Sequence, residues 1–159
     1  MERVSPSLLA IAGSSCSGKD TLIQAMRRMS PTPFSVLSFD DYFVGMDRLK
    51  GQEVTDWENP NLYRYDDYVA DLQTLKRGGA IKVECHSRES TLLGIRTRIV
   101  TPTRWVVVYG WLVLHSDEAN QRFDRKVFLD ISEEEWLGGG WLGLLDPMVG
   151  MIRSILGLS

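Results

Sequence analysis

Residues 8–21 read LLAIAGSSCSGKDT. The run from Leu8 to Ala12 is continuously apolar and short, the mark of a strand buried on both faces. Gly13, four further residues, then Gly18 and Lys19 form G-x-x-x-x-G-K, the core of a phosphate-binding loop. Leu22, Ile23, Ala25 and Met26 follow at helical spacing, so the glycine loop stands between a strand and a helix, the context such a loop requires. Glycines are needed because backbone N–H groups must wrap phosphate oxygens where a Cβ would intrude. The helix N-terminus adds partial positive charge and Lys19 a full one. The residues expected to hold nucleotide phosphates are therefore Gly13, Ser14, Ser15, Cys16, Ser17, Gly18, Lys19, Asp20 and Thr21. After the lysine such loops carry Ser or Thr, whose hydroxyl binds Mg²⁺. Here that place is Asp20, with Thr21 next, and a carboxylate can bind Mg²⁺ directly or through water.

The chain outside the loop sets limits. At 159 residues it suits one domain, taken as residues 1–159. Its 43% apolar and 25% charged residues are ordinary for a globular protein. A formal charge of −3, without a run of like charges, gives no ground for nucleic-acid binding. Cys16 and Cys85 do not make a disulfide framework, and Cys16 in the loop calls for a reduced thiol. Glu2 and Arg3 precede only a five-residue apolar run, unlike a signal peptide, and no stretch is long enough for a membrane span. The cytoplasm is the expected location, with no membrane partner.

In chain order, the first helix is expected to run to about Met29, before Pro31 and Pro33. Residues 34–39 form a second strand that delivers Asp40 and Asp41 at its C-terminal end, where ligands bind in open parallel sheets. Residues 44–65 are a long polar loop, a length more often functional than idle. Tyr65 to Lys76 is a helix closed by Gly78 and Gly79. Residues 80–100 read as a small lobe of two short strands around a turn. Residues 105–109 and 126–130 are further buried strands. The alternation gives an α/β class with a mainly parallel sheet. In the last stretch, 133–159, Asp146 is placed to cap a final helix with Pro147 in its first turn and Met148, Val149, Ile152, Ile155 and Leu156 on its apolar face.

These motifs together, over roughly residues 8–131, resemble the uridine kinase family of phosphate-loop nucleoside kinases. The chain is also similar to nicotinamide riboside kinases and phosphoribulokinases. SFDDYF at 38–43 matches the family's Asp followed by an aromatic pair, through Asp40, Tyr42 and Phe43. DWENP at 56–60 matches an aromatic, an acid and a proline, and HSR at 86–88 matches a motif of the family's small β lobe. YGWLVLHSDEANQRFDRKVFLD at 109–130 looks like its third strand, helix and fourth strand.

The resemblance implies a three-layer α/β/α fold of the P-loop NTPase type and ATP-dependent phosphorylation of a hydroxyl on a nucleoside-like substrate, with ATP and Mg²⁺ as cofactors. Phosphoryl transfer to a hydroxyl needs a carboxylate beside it, facing the γ-phosphate. Asp40 is that candidate base and Lys19 the catalytic cation. Asp20 and Thr21 are the metal candidates, with Asp41 a solvated neighbour or a partner of a Mg²⁺ water. Phe43, Glu58, His86 and Arg88 join Asp40 as substrate-binding candidates, Glu58 because a carboxylate accepts from two vicinal hydroxyls. Trp57 and Tyr42 are stacking or core aromatics, and His115 is read as structural. A small-molecule enzyme of this kind is compatible with a homo-oligomer.

Three departures keep a second reading open, a catalytically weak or inactive relative that binds nucleotide and acts through a partner. Asp20 replaces the metal-binding hydroxyl. Tyr109 stands before Gly110, where the family ends its third strand in an acid. The lid positions at which the family clamps phosphates with arginines fall on Trp136, Gly139, Gly140 and Gly143.

Overall fold

A computed structural model describes residues 5–14, 17–30, 32–86, 88–130, 141–155 and 157. Strands β1 (Ser7–Gly13), β2 (Ser35–Ser38), β5 (Trp105–Gly110) and β6 (Arg125–Leu129) form a sheet in the order β2-β5-β1-β6. Every pairing in it is parallel. β1 is central and pairs on both sides, with Ile11 opposite Tyr109 on β5 and Val127 on β6. Leu8, Leu9, Ala10 and Ile11 are wholly buried, so each face of the strand meets a helical layer. That is why its run is continuously apolar rather than alternating.

One face packs Leu9, Ile11 and Val107 against α1 (Lys19–Met29), through Leu22, Ile23, Ala25 and Met26. The C-terminal helix α5 (Trp141–Ile155) adds Val149 and Ile152 to the same cluster. The other face packs Leu8, Ala10, Val106 and Val108 against Tyr68, Val69, Leu72 and Leu75 of α2 (Tyr65–Lys76), with Ala119 from the short α4 (Asp117–Asn120). The fold is three-layered, α/β/α. Gly78, at φ 86°, ends α2 in the left-handed conformation and donates to Leu75 O at 2.9 Å, as the paired glycines predict.

β3 (Ile81–Glu84) and β4 (Thr97–Val100) form the small antiparallel sheet. The link between them is corrected: it contains the short helix α3 (Arg88–Leu92), not a simple turn. Ile81, Val83 and Val100 turn into the main core while Leu92, Leu93 and Ile99 face outward. The lobe is tied to the end of β2 by Arg98, which donates to the Asp41 carboxylate at 2.8 Å. Asp41 is 3% exposed. The expectation of a solvated Asp41 is thereby overturned, because the guanidinium from β4 gives the carboxylate a partner inside the fold.

The long segment between β2 and α2 holds three short 3₁₀ turns, Phe39–Tyr42, Met46–Leu49 and Pro60–Leu62. Its ends are stitched together: Val44 donates to Leu62 O and Arg64 to Tyr42 O, both at 2.8 Å. The result is a compact Ω-like loop. The final helix also differs from expectation, since Pro147 lies inside it and not in its first turn. The apolar residues at 141, 142, 144 and 145 carry the helical pattern upstream of Asp146, and that pattern outweighs the local start signal.

The lobe anchor is asymmetric, because Asp41 is enclosed while a third of the Arg98 side chain reaches water. Arg98→Met, which strands a buried carboxylate, should cost about 3 kcal/mol. Asp41→Asn should cost less, because it leaves a cation that can turn outward. Urea unfolding of both variants checks this ordering; equal losses below about 1 kcal/mol would refute it.

Candidate active site

The loop leaves β1 at Gly13 and enters α1 at Lys19. A Cβ at Gly13 would come within 2.9 Å of Leu129 O and 2.7 Å of Ser17 Oγ, so the close approach of β6 demands glycine. Gly18 caps α1 at φ 83°, which L side chains rarely adopt. Lys19 then lies back over the loop, donating to Gly13 O at 2.9 Å, Ser14 O at 2.6 Å and Ser17 Oγ at 3.1 Å. A cation is thus fixed at the centre of the loop, as phosphate binding needs. Ser17 is buried; Ser14 and Asp20 are exposed, and Thr21 is half-buried. Ser15, Cys16 and the Arg88 side chain lie outside the described residues, as do the lid positions Trp136, Gly139 and Gly140; Gly143 falls in α5.

Asp40 comes from the 3₁₀ turn at the end of β2. Its carboxyl opens toward the cleft but is held above the ordinary carboxylate value, first by loss of water and then by the charge of Asp20. Lys19 pulls it down and Asp41 pushes it up. Asp40 is therefore in electrostatic contact with both ends of the Lys19–Asp20 pair.

On its other side Asp40 lines a cavity of about 430 Å³ whose wall is mostly apolar: Phe43, Met46, Trp57, Tyr63, Thr91, Leu92 and His86. Phe43 and Tyr63 are bridged strand-fashion, and their rings meet edge-on at 5.9 Å. Trp57 stands 6.4 Å from Phe43 and is half exposed, at 51%. Tyr63 is oriented from behind, stacked on Phe39 at 4.9 Å and accepting from Trp111 Nε1 at 3.3 Å. His86, half-buried, places Nε2 3.4 Å from Glu84 Oε2.

The structure therefore brings Asp40, Phe43 and His86 to one cavity beside the phosphate loop. Glu58 stands at the exposed rim next to Trp57, close enough for its charge to act on Tyr63. Tyr42 is core, donating to Asp71 at 2.7 Å. His115 is exposed and packs edge-on against Tyr65. It borders a second, more polar groove with Asn61, Arg64 and Asp66, which shares Tyr63 with the first cavity.

Several contributors went unread in the sequence. Tyr63, Met46, Thr91 and Leu92 enter the cavity only through loop closure and the α3 helix, for which no motif stands. Tyr109, near the end of β5 and opposite Ser38 of β2, lies close enough to Asp20 for that carboxylate's charge to act on its phenol. Burial and the Asp20 charge hold its phenol far above its ordinary pKa, so it stays protonated.

The resident metal of such sites is Mg²⁺, which is usually held by one or two carboxylates, phosphate oxygens and water, not by a cage of protein ligands. Among the described residues no group of three or more acidic, histidine or cysteine side chains forms a cage. The exposed Asp20 carboxylate beside Lys19, with Thr21 next, is a donor set of the right chemistry.

No protein-family model matches the chain. Uridine kinases from Shewanella sp. (strain W3-18-1) and Shewanella baltica are each 28% identical over 130 residues, covering 77% of this chain. The chain is similar to these uridine kinases. It spans about three fifths, 61%, of the length of these relatives. Among solved structures, a possible uridine kinase from Bacillus stearothermophilus superposes with a TM-score of 0.65 at 18% identity, over 93% of this chain and 87% of that one. A proposed fructose transport system kinase from Silicibacter sp. TM1040 gives the same TM-score at 17% identity, over 94% and 80%. At those identities the structural likeness shows the three-layer α/β/α fold alone.

A carboxyl with a raised pKa in the fold costs stability once it is ionised; the cost is full above the folded pKa and shrinks to nothing as pH falls through it to the unfolded value. Asp40→Asn should therefore raise the melting temperature of the ligand-free protein at pH 8, with the gain shrinking toward acid pH. A melting temperature lowered at pH 8 would show that Asp40 is a structural anchor instead.

Proposed function

We propose that the protein transfers the γ-phosphoryl group of ATP to a ribosyl hydroxyl of a nucleoside-like small molecule in the cytoplasm. The observation that carries this reading is the position of Asp40, which answers electrostatically to Lys19 and Asp20 on one side and lines the aromatic cavity on the other. Lys19 and the amides of the loop would hold the β- and γ-phosphates. Asp40 would accept the proton of the attacking hydroxyl, and its raised pKa makes it a stronger base than a free carboxylate. Phe43, Tyr63 and Trp57 give a planar base faces to stack on, and His86 offers a ring nitrogen to its edge. Glu58 at the rim suits sugar hydroxyls. Asp20 and Thr21 would hold Mg²⁺, which when bound neutralises charge developing on the phosphates.

A second reading, a binding relative of low activity, is favoured by one feature: the lid positions hold Trp136, Gly139, Gly140 and Gly143 where arginines would neutralise the transferring group. A coupled ADP-release assay with Mg-ATP across a panel of nucleosides separates the two. Nucleoside-dependent turnover that falls about a hundredfold or more in Asp40→Asn supports the kinase. No turnover, with nucleotide or nucleoside still raising the melting temperature, supports the binding protein. In the active protein, Trp57→Ala should raise KM for the nucleoside about five- to a hundredfold, with a smaller effect on KM for ATP, because stacking on a base contributes about 1–3 kcal/mol.

A further inference from the structure

Tyr42, Tyr63, Tyr65 and Tyr68 all pack their rings around Phe39. Three of these phenols spend their proton inside the protein: Tyr42 on Asp71 at 2.7 Å, Tyr68 on Val113 O at 3.0 Å and Tyr65 on Leu112 O at 3.4 Å. Tyr63 differs. Its oxygen accepts from Trp111 Nε1 at 3.3 Å, and among the described residues its own proton has no acceptor. Hydroxyls taken out of water ordinarily both accept and donate. Tyr63 is half-buried, and it is the member of this group that lines the aromatic cavity.

The sheet register says where that hydroxyl stands. Tyr109 on β5 is opposite Ser38 of β2 on one side and Ile11 of β1 on the other. Two residues further along the three strands come Trp111, Asp40 and Gly13. Trp111 therefore emerges at the sheet edge between the candidate base and the start of the phosphate loop. Its indole N–H holds the Tyr63 oxygen at that edge, while the Tyr63 ring stays in the wall, stacked on Phe39 and edge-on to Phe43.

We infer that the Tyr63 hydroxyl binds the acceptor molecule, donating to a sugar oxygen next to the hydroxyl that faces Asp40, and that Trp111 is the positioning residue that aims it. This rests on the reading of the cavity as the acceptor's site. A phenol O–H lies in the plane of its ring with two orientations, and an indole on one side leaves the proton the other. Burial first holds the Tyr63 phenol above its ordinary pKa; the Trp111 bond lowers it, and the charges of Asp40 and Glu58 raise it again, so the proton stays on the oxygen at neutral pH. The carboxylates of Asp40 and Glu58, when ionised, only accept. A sugar hydroxyl that donates to one of them still has lone pairs to fill, and Tyr63 supplies the donor they lack.

The test is the affinity of the full-length protein for nucleosides, read by titration calorimetry, with ribonucleosides compared against analogues that each lack one sugar oxygen. Tyr63→Phe, which keeps the ring, should weaken ribonucleoside binding about three- to tenfold. One analogue should bind the parent more weakly by a similar factor and lose nothing further in Tyr63→Phe. Trp111→Phe should weaken ribonucleosides by a smaller factor, and the double variant should be no weaker than Tyr63→Phe alone, because Trp111 acts through the hydroxyl. Melting temperatures without ligand confirm that each variant is folded. Unchanged affinity in Tyr63→Phe, an equal loss with every analogue, or additive losses in the double variant would each overturn the inference while leaving the kinase reading intact. The expected pattern in a protein without nucleoside-dependent ADP release would keep the inference and overturn the kinase reading alone. A parent that binds no nucleoside would overturn both.

Discussion

The parallel pairing of β1 with β5 on one side and β6 on the other governs the rest of the molecule. A strand flanked on both edges and covered on both faces cannot shift register without exposing Leu8 to Ile11, all wholly buried. Its C-terminal end is therefore fixed in space, and with it Gly13, where the loop begins. The same pairing brings Leu129 O against Gly13 and Tyr109 beside the loop, while the β2–β5 pairing sets Asp40 across from both. A phosphate site needs donors held in place before the ligand arrives, and here the sheet does the holding.

Much of this was legible in the sequence because the signals were local. The apolar run before Gly13, the glycine spacing and the helical pattern after Lys19 name β1, the loop and α1 within a residue or two. Tyr65 to Lys76, with Gly78 and Gly79 behind it, is equally self-contained. Asp40 could be placed because it follows directly on a strand at the C-terminal edge of the parallel sheet. What escaped reading depended on distant partners. Nothing near Asp41 announces Arg98, 57 residues later, so burial of that carboxylate emerges only from the fold. Tyr63 reaches the cavity because the Ω-like loop folds back on Phe43, a long-range pairing without a motif. Pro147 misled because its start signal is local while the apolar pattern of α5 extends upstream of it.

Asp41 and Asp40, adjacent in sequence, show how one dipeptide divides structure from chemistry. Asp41 turns inward to Arg98 and ties the lobe that carries His86 and Leu92 to the end of β2. Asp40 turns to the cleft, where loss of water first and the charge of Asp20 second raise its pKa. The lobe anchor and the candidate base thus share one backbone turn. Movement of the lobe would be felt at the base, and the aromatic cavity between them would change shape with it.

The central claim is that one ligand's phosphates lie on the loop while a second ligand fills the aromatic cavity, with Asp40 between them. A crystal structure of the chain with Mg²⁺, a non-hydrolysable ATP analogue and a nucleoside tests it most directly. The account predicts phosphate oxygens on the amides around Gly18 and Lys19, the base against Phe43, Tyr63 and Trp57, and a ribosyl hydroxyl within hydrogen-bond distance of Asp40. A nucleoside seated instead in the polar groove by Asn61 and His115, or phosphates away from the loop, would contradict it.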